Sequence, residues 1–129
     1  MSNNSKLRIL LADDGEFEQT VISSKLRELG YEVSIAGDGE EALKLLKSDH
    51  FDLLILDIIM PKKDGFELLL QRSGDPELSK VPVIILSNLG QENDIKRAVQ
   101  LGATDYLVKK EDMLIELSIK IKNVLNSKD

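Results

Sequence analysis

Short apolar runs alternate with amphipathic stretches along the whole chain. Leu7–Ala12 reads as a strand, and Glu16–Leu29 as a helix in which Phe17, Val21, Ile22, Leu26 and Leu29 recur at helical spacing before Gly30 stops it. Glu32–Ala36 is a second short strand, followed by a helix over Gly39–Lys47 that carries Ala42, Leu43, Leu45 and Leu46. Leu53–Ile59 is the third apolar run, Phe66–Gln71 a helix and Val81–Leu86 the fourth run. Asp94–Leu101 is helical up to Gly102, and Asp105–Val108 forms a short fifth strand. Glu111–Leu125 closes the pattern as a helix with Leu114, Leu117, Ile121 and Val124 on one face. Strands that alternate with helices imply a parallel sheet covered on both sides. Leu53–Leu56 and Val83–Leu86 are apolar at every position, as strands buried on both faces require. The pattern therefore predicts an α/β protein with a five-stranded doubly wound parallel sheet, whose ligand crevice lies at the carboxyl ends of the strands.

Composition narrows the function classes. The chain has 129 residues, the size of one domain, with polar tails expected at 1–5 and 126–129. With 42% hydrophobic and 31% charged residues it has the balance of a soluble globular protein. At this length roughly two thirds of the unfolded surface can be buried, enough to hold a fold without staples. The chain has no cysteine, which excludes disulfides, thiolate metal sites and a cysteine nucleophile. A net charge of −6 argues against direct binding to nucleic acid. The apolar runs are too short for a membrane span, and Met1-Ser2-Asn3-Asn4-Ser5 is no signal peptide, so a cytoplasmic location is expected. His50 is the one histidine; it reads as solvated and excludes a histidine metal cluster.

Placed on this frame, the polar residues converge. Asp13 and Asp14 close the first strand, Asp57 the main part of the third, Ser87 the fourth and Lys109 the fifth, all on one edge of the sheet. Each has a plainer reading. Asp13-x-x-Glu16, Asp38-x-x-Glu41 and Asp64-x-x-Glu67 are possible capping boxes, Ser87 a possible helix cap, and Lys109 a possible surface lysine. Asp57 resists such a reading. It interrupts Leu53-Leu54-Ile55-Leu56-Asp57-Ile58-Ile59-Met60, and an unpaired buried carboxylate costs several kcal/mol. Lys109 is the basic partner that a purely structural role would require. Three carboxylates in one crevice raise each other's pKa unless a cation lies between them. Hard oxygen donors without histidine or cysteine suit magnesium, with manganese or calcium as alternatives. A metal, a lysine, a hydroxyl and a nucleophilic carboxylate together suit a phosphoryl group.

With these residues in place, the chain resembles the receiver domain of two-component response regulators almost end to end. The resemblance rests on four elements in order. They are Asp13-Asp14, Asp57 followed by Met60-Pro61-Lys62-Lys63-Asp64-Gly65, Val81-Pro82-Val83-Ile84-Ile85-Leu86-Ser87, and Gly102-Ala103-Thr104-Asp105-Tyr106-Leu107-Val108-Lys109. It implies a flavodoxin-like sheet of order 2-1-3-4-5. It implies phosphorylation of Asp57 by a sensor histidine kinase or a histidine phosphotransfer protein. Such a domain catalyses its own phosphoryl transfer and dephosphorylation but is not otherwise an enzyme. Asp13, Asp14, Asp57 and the Ile59 backbone carbonyl would hold magnesium, Lys109 would contact the phosphoryl group, and Ser87 and Tyr106 would form the switching pair. On phosphorylation Ser87 would move toward the phosphoryl oxygens and Tyr106 would turn inward. The altered face of Asp94–Leu101, Asp105–Val108 and the last helix would then bind a downstream partner or a second copy.

Two positions depart from the family pattern. Lys109 is followed by Lys110 where the family usually has proline, often with a cis bond. A non-proline cis bond costs about 2.5–4 kcal/mol, so a trans bond or a rearranged loop is expected. Asn88 stands where a very small residue is usual and is expected to narrow access to the site. By the resemblance, Ile59 and Leu89 would flank the approach of hydrolytic water; branched aliphatics cannot orient it, which implies a slowly decaying phosphoryl group.

Several residues and functions have competing readings. Phe17, Val21 and Ile22 read mostly as core, with Phe17 a candidate docking contact, and Tyr106 also reads as a strand aromatic packed on the last helix. A haloacid-dehalogenase-like phosphatase would need an acid at position 59, which is isoleucine. A flavodoxin relative would need a Ser/Thr/Gly-rich loop after the first strand, which is missing. The remaining alternative is a receiver-like binding module that acts without phosphorylation.

Overall fold

The computed structural model describes residues 6–126. The strands are β1 (Arg8–Ala12), β2 (Glu32–Ala36), β3 (Leu53–Leu56), β4 (Val83–Ser87) and β5 (Asp105–Val108), all parallel, in the order β2-β1-β3-β4-β5. The helices are α1 (Glu16–Glu28), α2 (Gly39–Ser48), α3 (Gly65–Ser73), α4 (Glu92–Gln100) and α5 (Met113–Asn126). The doubly wound fold is the one expected from the sequence.

The period of two along each strand divides the core. Leu10, Ala12, Leu54, Leu56, Val83 and Ile85 face Ala42 and Leu46 of α2, Phe66, Leu68 and Leu69 of α3, and Ala98 of α4. Ile9, Leu11, Leu53, Ile55, Ile84 and Leu86 face Ile22 and Leu26 of α1 and Leu117 and Ile121 of α5. Both faces of the central strands are thus dry, which is why their sequences lack polar alternation.

Of the three possible capping boxes, one forms completely and one gives an N-cap alone. Asp64 accepts from the Glu67 N–H at 2.9 Å while Glu67 Oε1 accepts from the Asp64 N–H at 3.0 Å, a complete reciprocal box. Asp38 caps α2 through the Glu41 N–H, but the Glu41 carboxylate takes the Gly37 N–H instead. Asp13 does not cap α1, whose N-cap is Gly15 with no side-chain hydrogen bond. Gly30 and Gly102, with φ of 99° and 105°, end their helices in the left-handed region that side chains disfavour.

Other boundaries moved for identifiable reasons. β3 ends at Leu56, because Asp57 and the residues after it turn away to lead into α3. β4 begins at Val83, since Pro82 has no N–H to pair, although its carbonyl accepts from Leu54. A 3-10 turn at Leu78–Lys80, not anticipated, precedes it. Arg72, buried at the end of α3, fixes that segment by donating to the Ser79 and Val81 carbonyls. Asn126 belongs to α5 and not to a tail; the remaining proposed tail positions, 1–5 and 127–129, lie outside the described residues. Phe17 is 79% exposed, so it is no core residue. There is no cis peptide bond among the described residues, so Lys109–Lys110 is trans. Among them, too, no helix is long and apolar enough to cross a membrane.

Candidate functional site

The site is built where the strand order reverses, between the ends of β1 and β3. Ala12 and Leu56 are register partners, so the residues that follow them, Asp13 and Asp57, emerge side by side. Two backbone bonds hold that juxtaposition: the Asp57 N–H donates to the Ala12 carbonyl at 2.9 Å and the Asp13 N–H to the Ala36 carbonyl at 3.0 Å. Lys109 arrives from the far edge of the sheet, where its N–H extends the ladder to the Ser87 carbonyl at 2.9 Å. Gly65 allows the loop after β3 to fold tightly. Its N–H donates to the Ile58 carbonyl, and an added Cβ would lie 2.6 Å from the Asp57 carbonyl oxygen.

The Lys109 ammonium lies between the carboxylates. Its Nζ donates to Asp13 Oδ2 at 3.0 Å, Asp57 Oδ2 at 2.9 Å and Glu18 Oε1 at 2.7 Å. An ammonium has three N–H groups, and this one uses all of them on carboxylates. The Lys109 side chain is only 6% exposed, which overturns its reading as a surface lysine. Backbone donors complete the arrangement. Asp13 Oδ1 accepts from the Gly15 N–H at 2.8 Å, Asp57 Oδ1 from the Ile59 N–H at 3.3 Å, and Gln19 Nε2 ties the Asp13 carbonyl at 2.6 Å.

Burial is the largest influence on Asp13 and raises its carboxyl pKa. The Gly15 N–H and Lys109 oppose that rise, and the Glu18 charge adds to it. For Lys109 burial acts downward, but the hydrogen bonds to Glu18, Asp57 and Asp13 outweigh it and hold the ammonium above its ordinary range. The cation that the acidic cluster demands is thus supplied in part by the chain itself.

Ser87 and Tyr106 meet at one residue. Ser87 is fully buried and its hydroxyl accepts from the Leu89 N–H at 3.3 Å, so it is not a helix cap. The half-buried Tyr106 donates its hydroxyl to the Leu89 carbonyl at 2.6 Å. Burial, followed by the charges of Asp94 and Asp57, raises the tyrosine pKa. Tyr106 packs with the core on the α2–α4 side and not on the last helix. Ile59 is exposed, Leu89 half-buried and Asn88 exposed at this rim.

The structure therefore joins Asp13, Asp57 and Lys109 directly and links Ser87 to Tyr106 through Leu89. Asp14 is exposed, but its carboxylate completes a cluster with Asp13 and Asp57 in which one oxygen from each lies within 4.8 Å of the others. Those hard oxygens fit a divalent cation of the magnesium class. Sequence reasoning missed Glu18. The signal was present, because Glu18, Ile22 and Leu26 form an i, i+4, i+8 stripe, and an acid on a buried stripe is unusual. Its place in the first turn of α1, where acidic residues are common, hides that signal.

Comparison with known proteins agrees with this geometry. The chain is 40% identical over 106 residues to a gliding motility regulatory protein of Myxococcus xanthus, covering 82% of this chain and 14% of that protein. It is 37% identical over 124 residues to a probable transcriptional regulator, ycf27, of Porphyridium aerugineum, covering 96% of this chain and 50% of the relative. The chain thus spans half or less of the length of these relatives. Among solved structures, the receiver domain of the sensor histidine kinase PA1611 from Pseudomonas aeruginosa PAO1, with a magnesium ion coordinated in its active-site cleft, superposes with a TM-score of 0.86. That pair is 29% identical and covers 95% of this chain and 99% of the other. Residues 9–119 match the profile of the response regulator receiver domain, and the chain belongs to that family.

Proposed function

We propose that this receiver domain is a phosphorylation-dependent switch in which Asp57 accepts the phosphoryl group. The observation that carries the reading is the Asp57 carboxylate itself. It is 7% exposed at the end of β3, bonded to Lys109 and set within the Asp13–Asp14–Asp57 cluster. The phosphoryl group leaves a phosphohistidine nitrogen of a sensor kinase or phosphotransfer protein; the P–N bond breaks as a P–O bond to Asp57 forms. Asp13, Asp14 and Asp57, with the Ile59 carbonyl, would hold magnesium. When bound, that ion supplies positive charge against the phosphoryl oxygens. Manganese suits the same donors.

The chain's own residues do the rest. Lys109 donates to a phosphoryl oxygen in place of a carboxylate. The Ser87 hydroxyl accepts one hydrogen bond and still has its proton to donate to a second phosphoryl oxygen. Because Leu89 holds Ser87 by its N–H and Tyr106 by its carbonyl, drawing Ser87 inward moves the loop that Tyr106 grips. The response would reach α4, β5 and α5, where Val99, Ile115 and Ile119 are exposed and available to a downstream protein or a second copy. The same site catalyses loss of its own phosphoryl group, and the whole operates in the cytoplasm.

The test is incubation with magnesium and acetyl phosphate, followed by intact mass and peptide mapping. One phosphoryl group on Asp57, absent from Asp57→Asn and from samples in EDTA, is the expected result. A phosphate elsewhere would overturn the assignment to Asp57, and none in the wild type would leave a binding module that works without phosphorylation.

A further inference from the structure

We infer that Glu18 is an internal competitor for the Lys109 ammonium and restrains entry of a phosphoryl group. This inference rests on Asp57 being the phosphoacceptor. All three N–H groups of Lys109 are committed to carboxylates, so an incoming phosphoryl oxygen has to displace one of them. The contact with Glu18 is the shortest of the three, at 2.7 Å. It is also the one most readily released. The Glu18 side chain is 35% exposed and can turn to water, whereas those of Asp13 and Asp57 are 2% and 9% exposed and would be stranded.

Charge acts in the same direction. Glu18 adds a fourth carboxylate to Asp13, Asp14 and Asp57 around one ammonium, which opposes a dianionic newcomer. No other contact among the described residues accounts for Glu18. It caps no helix, its stripe partners Ile22 and Leu26 are buried in the apolar core, and its carboxylate reaches past the end of the sheet to the site lysine. Glu18 is accordingly a positioning residue: it acts on the phosphoryl group only through Lys109.

Beryllium trifluoride, a non-covalent phosphoryl mimic, provides the test. Its affinity is measured by fluorine NMR titration at saturating magnesium, on the full chain and three variants. Glu18→Gln should bind about fivefold more tightly than wild type, the size of one partly exposed ion pair. Glu18→Asp keeps the charge but is one methylene too short for the contact, and should bind at least about twofold more tightly. Glu16→Gln removes the same charge from an exposed position in the first turn of α1 and should match wild type. Unfolding midpoints of all four proteins show whether a change in affinity is merely a change in stability.

Wild-type affinity in Glu18→Gln would overturn the inference. So would wild-type affinity in Glu18→Asp, which would reduce the effect to bulk charge. If none of the four proteins bound the mimic, the phosphoacceptor reading itself would fall, and this inference with it.

Discussion

Lys109→Ala removes the ammonium on which Asp13 and Asp57 both depend, and its cost can be worked from their surroundings. The two carboxyl-bearing residues are 1% and 7% exposed. Removing one partner of a buried ion pair costs about 3–5 kcal/mol, mostly because the other charge is left uncompensated. Three features place this site at the lower end. Asp13 keeps the Gly15 N–H, Asp57 keeps the Ile59 N–H, and Glu18 can turn to solvent. A loss of about 3 kcal/mol leaves a typical domain folded. It lowers the melting temperature by about 10 °C, taking about 3–5 °C per kcal/mol for a chain of this size.

The assay is thermal and urea unfolding in EDTA, repeated at saturating magnesium. Magnesium should raise the melting temperature of both proteins through linkage, and more in Lys109→Ala, where no ammonium competes for the same oxygens. Asp13→Asn and Asp14→Asn should weaken that rise in the wild-type background. A Lys109→Ala protein melting within about 2 °C of wild type in EDTA would show that the carboxylates do not rely on the lysine, and the electrostatic account of the site would be wrong.

At the opposite end of the sheet, Arg8 holds the Asp49 carboxyl down to about 2, with help from the His50 N–H. The unfolded chain therefore binds the proton first. The stabilisation is complete above about pH 4 and lost as pH falls through about 2. Urea midpoints measured across that window should fall less steeply in Asp49→Asn than in wild type, and parallel curves would refute the pairing. At the rim of the site, Ile59 and Leu89 offer hydrolytic water no hydrogen bond. Phosphate release from purified phosphoprotein in magnesium should accordingly be slow, and about tenfold faster in Ile59→Asn, with Leu89→Ala also accelerated. Unchanged decay in both variants would remove these side chains from the control of lifetime.

The sheet was legible because its physics is local. Every position of Leu53–Leu56 is buried, and the amphipathic stretches end at Gly30 and Gly102, where φ is positive. The meeting of Asp13, Asp57 and Lys109 followed, since parallel strands bring their carboxyl ends to one edge. What remained hidden depended on how α1 is rotated. Phe17 belongs to the same apolar series as Leu26, but nine residues at about 100° each place it on the opposite side of the helix. It is 79% exposed, while Leu26 is 1% exposed. Glu18, eight residues before Leu26, falls about 80° from it and about 40° from Ile22, and so faces inward. Hydrophobic spacing identifies a stripe, but a single acid at its end becomes visible only when its partner, ninety-one positions away, is known.

The same geometry separates the part of the site that must stay fixed from the part that can move. Lys109 and Ser87 end adjacent strands and are tied by the Lys109 N–H to the Ser87 carbonyl, so lysine and hydroxyl are presented on one ladder. Asp13 and Asp57 are tied in the same way through Ala12 and Ala36. Beyond Ser87 the ladder stops, and Leu89 is held by two hydrogen bonds, one to Ser87 Oγ and one from Tyr106. An anion that recruits the Ser87 hydroxyl would accept a hydrogen bond from its unused proton, pull on only the first of these and cost no sheet hydrogen bond. On the proposed function, such a local change would fall on the segment that Tyr106 grips and that leads into α4. On the same reading, the chemistry would rest on the strand ends, and its readout on the short loop after β4.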